Sequence, residues 1–174
     1  MANPTMTLIA SNTVGSSSVA TYTFSSIPQT YTDLILKVSA RTNASGTYVD
    51  DLILQFNSST TNYSYTQLYG TGSAVGSGNS SGLAGAYAGT FDSTNATANT
   101  FGNSEMYIPN YAGSNYKSIS ANAVTENNAT ASFQNLVASL WSNTAAITSI
   151  TLASLNGGSF IQYSTFYLYG ISNS

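Results

Sequence analysis

The sequence predicts an all-β fold, a single-domain, jelly-roll-like β-sandwich of about ten short strands. Three observations carry that reading. Short runs alternate apolar with polar residues, as at Leu34, Leu36 and Val38, the period of two that a strand with one buried and one wetted face requires. Clusters of Gly, Pro and Asn punctuate the chain at ~8–15-residue intervals. No amphipathic stretch long enough for a convincing helix interrupts them.

One domain spans 1–174, with 1–18 as an N-terminal arm. Met6–Ala10 is the first strand candidate, followed by a turn-rich stretch to Ser18 and a second run ending Thr21-Tyr22-Thr23-Phe24. Pro28 has no N–H to give to a ladder, so it belongs in the connection to the next strand, Asp33–Arg41. There Lys37 and Arg41 fall on the face opposite Leu34, Leu36 and Val38. Asp51–Phe56 alternates Leu52, Leu54 and Phe56 on one face, and Tyr63–Tyr69 alternates again. Residues 70–90, GTGSAVGSGNSSGLAGAYAGT, are so dense in Gly and Ser that they read as a long surface loop, an excursion from the sheet. Glu105–Pro109, Tyr116–Thr125, Phe133–Trp141, Ile147–Ala153 and Thr165–Ile171 complete the strands. Phe133–Trp141 is the one place where a helix competes, because Leu136, Val137 and Leu140 also fit a period near 3.6.

Composition narrows the functions. Hydrophobic residues are 42% of the 174 and charged residues only 5%, far below the usual quarter. Solubility therefore rests on hydroxyls and amides, which suits a surface held against neighbours. With a net charge of −3 and no Lys/Arg cluster, there is no footprint for nucleic acid or an anionic membrane. No apolar run is long enough to span a bilayer, and MANPTMTLIA lacks the charged and apolar regions of a secretory signal, so neither is expected. Cysteine is absent, which removes disulfides and thiolate metal sites.

Histidine is absent too, so Ser/His/Asp and Cys/His nucleophile systems cannot be built. Phosphate-binding glycine loops and zinc motifs do not occur, and no cofactor is expected. The acids are Asp33, Asp50, Asp51, Asp92, Glu105 and Glu126. Asp50, Asp51 or Asp92 with loop carbonyls is a candidate calcium site, since calcium takes oxygen ligands. Acid catalysis would need two carboxylates across a cleft, and the adjacent Asp50 and Asp51 should point to opposite faces. The expectation is not an enzyme. Triplets of the N-glycosylation type at Asn43, Asn57, Asn62, Asn79, Asn95 and Asn128 are what a chain this rich in Asn, Ser and Thr produces by chance.

The 13 tyrosines carry the remaining signal. Tyr63, Tyr65 and Tyr69 precede the glycine-rich stretch and Tyr87 closes it. A tyrosine offers a flat apolar face and a hydroxyl, so three readings stay open: rim packing of a sandwich, a subunit interface, or contact with a glycan. Met6 and Leu8 of the arm join these four as candidate interface residues.

Four stretches resemble virion structural proteins of tailed bacteriophages, especially marine and cyanobacterial ones: FSSIPQTYTDLILKVSAR (Phe24–Arg41), EMYIPNYAGSNYKSIS (Glu105–Ser120), WSNTAAITSITLAS (Trp141–Ser154) and STFYLYGI (Ser164–Ile171). They are packing and turn signatures and bring no catalytic residues. The resemblance implies a β-rich, non-enzymatic particle component. The expected role is a capsid decoration (cement) protein on the outside of the virion, made in the host cytoplasm. It would assemble as a homotrimer and bind the major capsid protein or other virion proteins. The alternative is a head-fibre, tail-fibre or receptor-binding domain contacting host glycan.

Overall fold

The computed structural model describes residues 5–128 and 131–172. Among them the chain forms twelve strands and no helix: β1 (Met6–Thr13), β2 (Thr21–Phe24), β3 (Asp33–Ala40), β4 (Val49–Phe56), β5 (Tyr63–Gly70), β6 (Val75–Leu83), β7 (Ala86–Asp92), β8 (Gly102–Ile108), β9 (Lys117–Thr125), β10 (Phe133–Trp141), β11 (Ile150–Ser154) and β12 (Thr165–Ile171). They make a β-sandwich of two antiparallel sheets. The larger is ordered β1-β12-β3-β8-β9-β10-β5-β6 and the smaller β2-β11-β4-β7. With β5, β6, β9 and β10 set aside, the other eight strands change layer at every step along the chain except from β4 to β7, which both lie in the smaller sheet. The hairpins β5–β6 and β9–β10 both extend the larger sheet beyond β8, so it overhangs the smaller one.

Alternation decides which face each strand buries. Leu34, Leu36 and Val38 of β3 face Phe24, Leu52, Leu54, Phe56, Ile150 and Leu152 of the small sheet within one apolar core. Trp141 closes one end, stacked on Tyr63 at 6.0 Å and edge-on to Phe56 at 5.5 Å. Pro28 lies between β2 and β3, where its missing donor costs no ladder bond, and its carbonyl accepts from the Tyr111 hydroxyl. Phe133–Trp141 is a strand held on both sides, by β9 and by β5. Its competing helical period has no role.

Three expectations are corrected. The stretch 70–90 is not a loop: it contains β6 and most of β7, joined by a tight connection. The arm 1–18 contributes β1, paired with β12 along its length, while its residues 1–4 lie outside the described residues. Arg41 is not on the wetted face with Lys37. It is buried just past β3, its guanidinium donating to the carbonyls of Ala96, Thr97 and Thr100. Lys37 does face solvent and pairs with Glu105 at 2.6 Å.

β7 is the unusual element, buried at all seven positions. It lies against β8, β9 and β10 and comes so close that a Cβ on Gly89 would sit 2.2 Å from the Ala123 Cβ. Gly89 also has φ +103°, which side-chain-bearing residues rarely adopt. Gly89→Ala is therefore expected to destabilise the fold by about 2 kcal/mol or more, from backbone strain plus overpacking. Urea unfolding measures this, and an unchanged midpoint would refute it. Adding Ala123→Gly should recover only part of the loss, because it relieves the clash and leaves the strain.

Candidate functional site

The overhang creates the site. Tyr63 and Tyr65 at the start of β5 pack on Phe56 and Tyr87 of the small sheet, and beyond them the inward face of β5 runs past its β7 edge. A groove of about 540 Å³ opens there between β5, β6 and the β4–β7 pair. Tyr65, Gln67 and Tyr69 alternate along β5 and line it, as a period of two demands. Opposite Gln67 and Tyr69 on β6 stand Gly78 and Gly76. Gly76 leaves room for the Tyr69 ring, whose atoms come within 2.5 Å of where a Cβ would be. Here the glycine density reflects seats for larger side chains.

Each ring is braced. Tyr65 packs on Tyr87 at 4.6 Å between centroids, and Tyr69 on Phe133 at 6.2 Å. The Tyr87 hydroxyl donates to Asp51 Oδ1 at 3.2 Å. Burial raises the Asp51 carboxyl above its usual range. The Tyr87 hydrogen bond opposes that rise, and the charge of neighbouring Asp50 adds to it. Burial and then the Asp51 charge push the Tyr87 phenol upward as well. Behind them runs a polar relay: Thr90 Oγ1 donates to Asn135 Oδ1 at 2.8 Å, and Asn135 Nδ2 donates to Gln67 Oε1 at 3.1 Å.

The sequence-predicted residues are thus divided. Tyr65 and Tyr69 line the groove, and Tyr87 backs it from a buried position. Tyr63 is a correction. It is buried against Trp141, accepts from the Phe56 N–H at 2.8 Å and has its phenol pushed up to about 12 by burial, so it offers no face to a partner. Met6 and Leu8 are exposed, but on the opposite side of the large sheet.

That outer face is the second notable surface. Cross-strand register places Met6, Leu8, Leu68, Val75, Tyr107, Leu136 and Tyr167 on it together. Leu68 is 62% exposed, Leu136 54% and Val75 91%. Leu68 and Leu136 are direct cross-strand partners. Their significance was hidden in the sequence because each lies in a strand whose other face is also partly apolar. Gln67 and Asn135 were missed for a different reason: amides in a chain full of amides carry no signal until the fold aligns them.

The calcium set does not come together, and among the described residues no three carboxylates group closely enough to hold a metal. Asp50 and Asp51 do point to opposite faces. Asp50 is buried and already accepts from Thr42, Ser154, Asn156 and the Asp51 N–H. Asp92 is buried and accepts from Asn127 at 2.8 Å.

No protein-family model matches the chain, and no curated protein matches it.

The Asp51 environment has a consequence for stability. Its folded-state pKa lies above the ordinary 3.8, so in the window between the two the native state holds a proton that the unfolded chain has lost. Stability attributable to this group falls as pH rises through that window. Asp51→Asn is expected to raise the melting temperature at neutral pH, with the gain closing as pH drops below the usual carboxylate range. Thermal melts across acid and neutral pH read this directly, and a gain that persists unchanged in acid would contradict it.

Proposed function

We propose that this chain is a non-enzymatic particle component, a bacteriophage capsid decoration protein docked through the outer face of its eight-stranded sheet. The observation that carries the reading is that seven exposed large apolar side chains share that one face, Leu68, Leu136 and Val75 at one end and Met6, Leu8, Tyr107 and Tyr167 towards the other, with Lys37, Glu105, Ser120 and Asn122 between the two groups. Grouped exposed apolar side chains rimmed by polar ones mark binding surfaces. The face carries the Lys37–Glu105 ion pair and, beyond it, Asp33, which accepts from the Tyr107 hydroxyl at 2.8 Å. A shallow trough of about 740 Å³ runs between Glu105, Asn122, Leu136 and Leu68. Its complement is another sparsely charged surface, as a shell subunit or a second copy of the chain would offer.

The strand blocks β1-β12-β3-β8 and β2-β11-β4-β7 fit a jelly-roll order, with β5–β6 and β9–β10 as inserted hairpins. In this reading the protein sits outside the virion, associates as a trimer and contacts the major capsid protein. Binding the assembled lattice but not its dissociated subunits stabilises the shell by mass action.

Two measurements test this. Quantitative protein staining of purified particles should find copies in proportion to capsomers, and a chain missing from particles would refute the reading. The double variant Leu68→Arg, Leu136→Arg should keep its unfolding midpoint, since both side chains are exposed. It should lose binding to undecorated shells by about tenfold or more. Undiminished binding would exclude this face.

A further inference from the structure

We propose that the groove between β5, β6 and the β4–β7 pair is a binding site for a neutral, pyranose-based glycan. It lies on the inward side of the overhang, away from the outer face, and requires neither a decoration role nor a fibre role for the chain.

Three features point to that ligand class. Tyr65 and Tyr69 stand on one face of β5 four residues apart, roughly 13 Å along the strand, with Gln67 between them. The apolar C–H face of a sugar ring packs on a flat aromatic ring, and the separation leaves room for more than one ring. Bracing by Tyr87 and Phe133 means little side-chain freedom is lost on binding. The groove volume, about 540 Å³, lies within the range of small-ligand sites.

Next come the polar groups. The relay from Thr90 through Asn135 fixes the Gln67 amide by its oxygen. Its Nε2 has no partner among the described residues and is left to donate. Asp51 uses Oδ1 for the Tyr87 hydroxyl, and Oδ2 has no described partner and is left to accept. One fixed donor and one carboxylate acceptor beside aromatic rings suit sugar hydroxyls, each of which both donates and accepts. Asn135 is 1% exposed, so the positioning element is built into the fold.

Charge then selects within the class. Asp51 is the one charged residue lining the groove, and no Lys or Arg lines it. Uronic acids, sialic acids and phosphorylated sugars would meet a carboxylate with no compensating cation. The raised pKa of Asp51 shows a carboxylate kept in a partly dry place at a cost to stability, as binding sites often require.

The test is an array of neutral and anionic oligosaccharides probed with the whole chain, with a proline-rich peptide as the competing aromatic-groove ligand. Calorimetry on any hit then gives the affinity. Saturable binding to neutral glycans is expected, weakened about tenfold or more by Tyr69→Ala and by Gln67→Ala. Unfolding midpoints confirm that each variant is folded. Tyr116→Ser, an exposed tyrosine outside the groove, should bind as the parent does. Binding confined to anionic sugars or to the peptide would overturn the proposal, as would no glycan binding or binding indifferent to both groove variants. A chain found on particles that binds no glycan defeats this inference alone, and glycan binding by a chain absent from particles defeats the decoration reading alone.

Discussion

The close approach of β7 to the larger sheet is the constraint on which the architecture depends. Packed sheets ordinarily stand ~10 Å apart, filled by side chains from both inner faces. At β7 the filling is small: Ala86, Ala88 and Gly89 face a sheet that presents Ala121 and Ala123 nearby. β7 is also the edge of the small sheet, paired with β4 alone. Its buried backbone on the other side would lack partners, which a fold rarely tolerates. The larger sheet supplies them from side chains. Ser139 Oγ donates to the Tyr87 carbonyl at 2.8 Å, Ser104 Oγ to the Ala88 carbonyl at 3.0 Å, and Asn135 Oδ1 accepts from the Thr90 N–H at 3.4 Å. The small sheet therefore ends at β7 by construction. Everything the large sheet extends beyond that line is left without a cover, and the groove is the result.

The same constraint explains what could and could not be read from the chain. Ten strands were visible because each buries one face and wets the other, as β8 does with Ser104, Met106 and Ile108 inside and Asn103, Glu105 and Tyr107 outside. β7 was invisible because burial on both faces abolishes alternation, and its small residues imitate a loop. β6 was invisible for the opposite reason. It is an edge strand wetted on its outer side, and on its inner side Gly76 and Gly78 stand opposite Tyr69 and Gln67. Tyr65, Tyr69 and Tyr87 could be singled out by type, but Tyr63 shares their spacing and is core. Only packing distinguishes them: Trp141 lies across from Tyr63, whereas nothing in the small sheet covers Tyr69.

The placement of the few charges is informative. The chain has three basic and six acidic residues, and Arg41, Lys117, Asp50 and Asp92 are buried. Charged side chains are almost never buried unless their hydrogen-bonding capacity is met. Arg41 is met by three backbone carbonyls, Lys117 by those of Gly113 and Asn115, and Asp50 by four donors. Burial lowers the Lys117 pKa accordingly. These ions tie loops to strand ends, where a hydrophobic side chain could not satisfy exposed carbonyls. The four cancel one another, so the net charge of −3 rests on the residues that are not buried, Lys37 against Asp33, Asp51, Glu105 and Glu126.

That exterior bears on how the molecule meets others. A long-lived edge strand is normally protected by lysine, proline or inward charge. Neither β1 (MTLIASNT) nor β6 (VGSGNSSGL) has any of these. β6 instead has three glycines and a run of serines, a composition poor in strand propensity, which blunts its appetite for indiscriminate pairing. β1 keeps Met6 and Leu8 exposed at the other edge of the same apolar face. A surface protected by weak propensity at one edge, and carrying exposed apolar side chains towards both edges, resists aggregation poorly unless it is occupied. Occupation from the outer side would leave the inward groove open, because the two faces belong to opposite sides of one sheet. The β5–β6 insertion thus gives a single hairpin two independent faces, Leu68 and Val75 on the outer side and Tyr65 and Tyr69 on the inner.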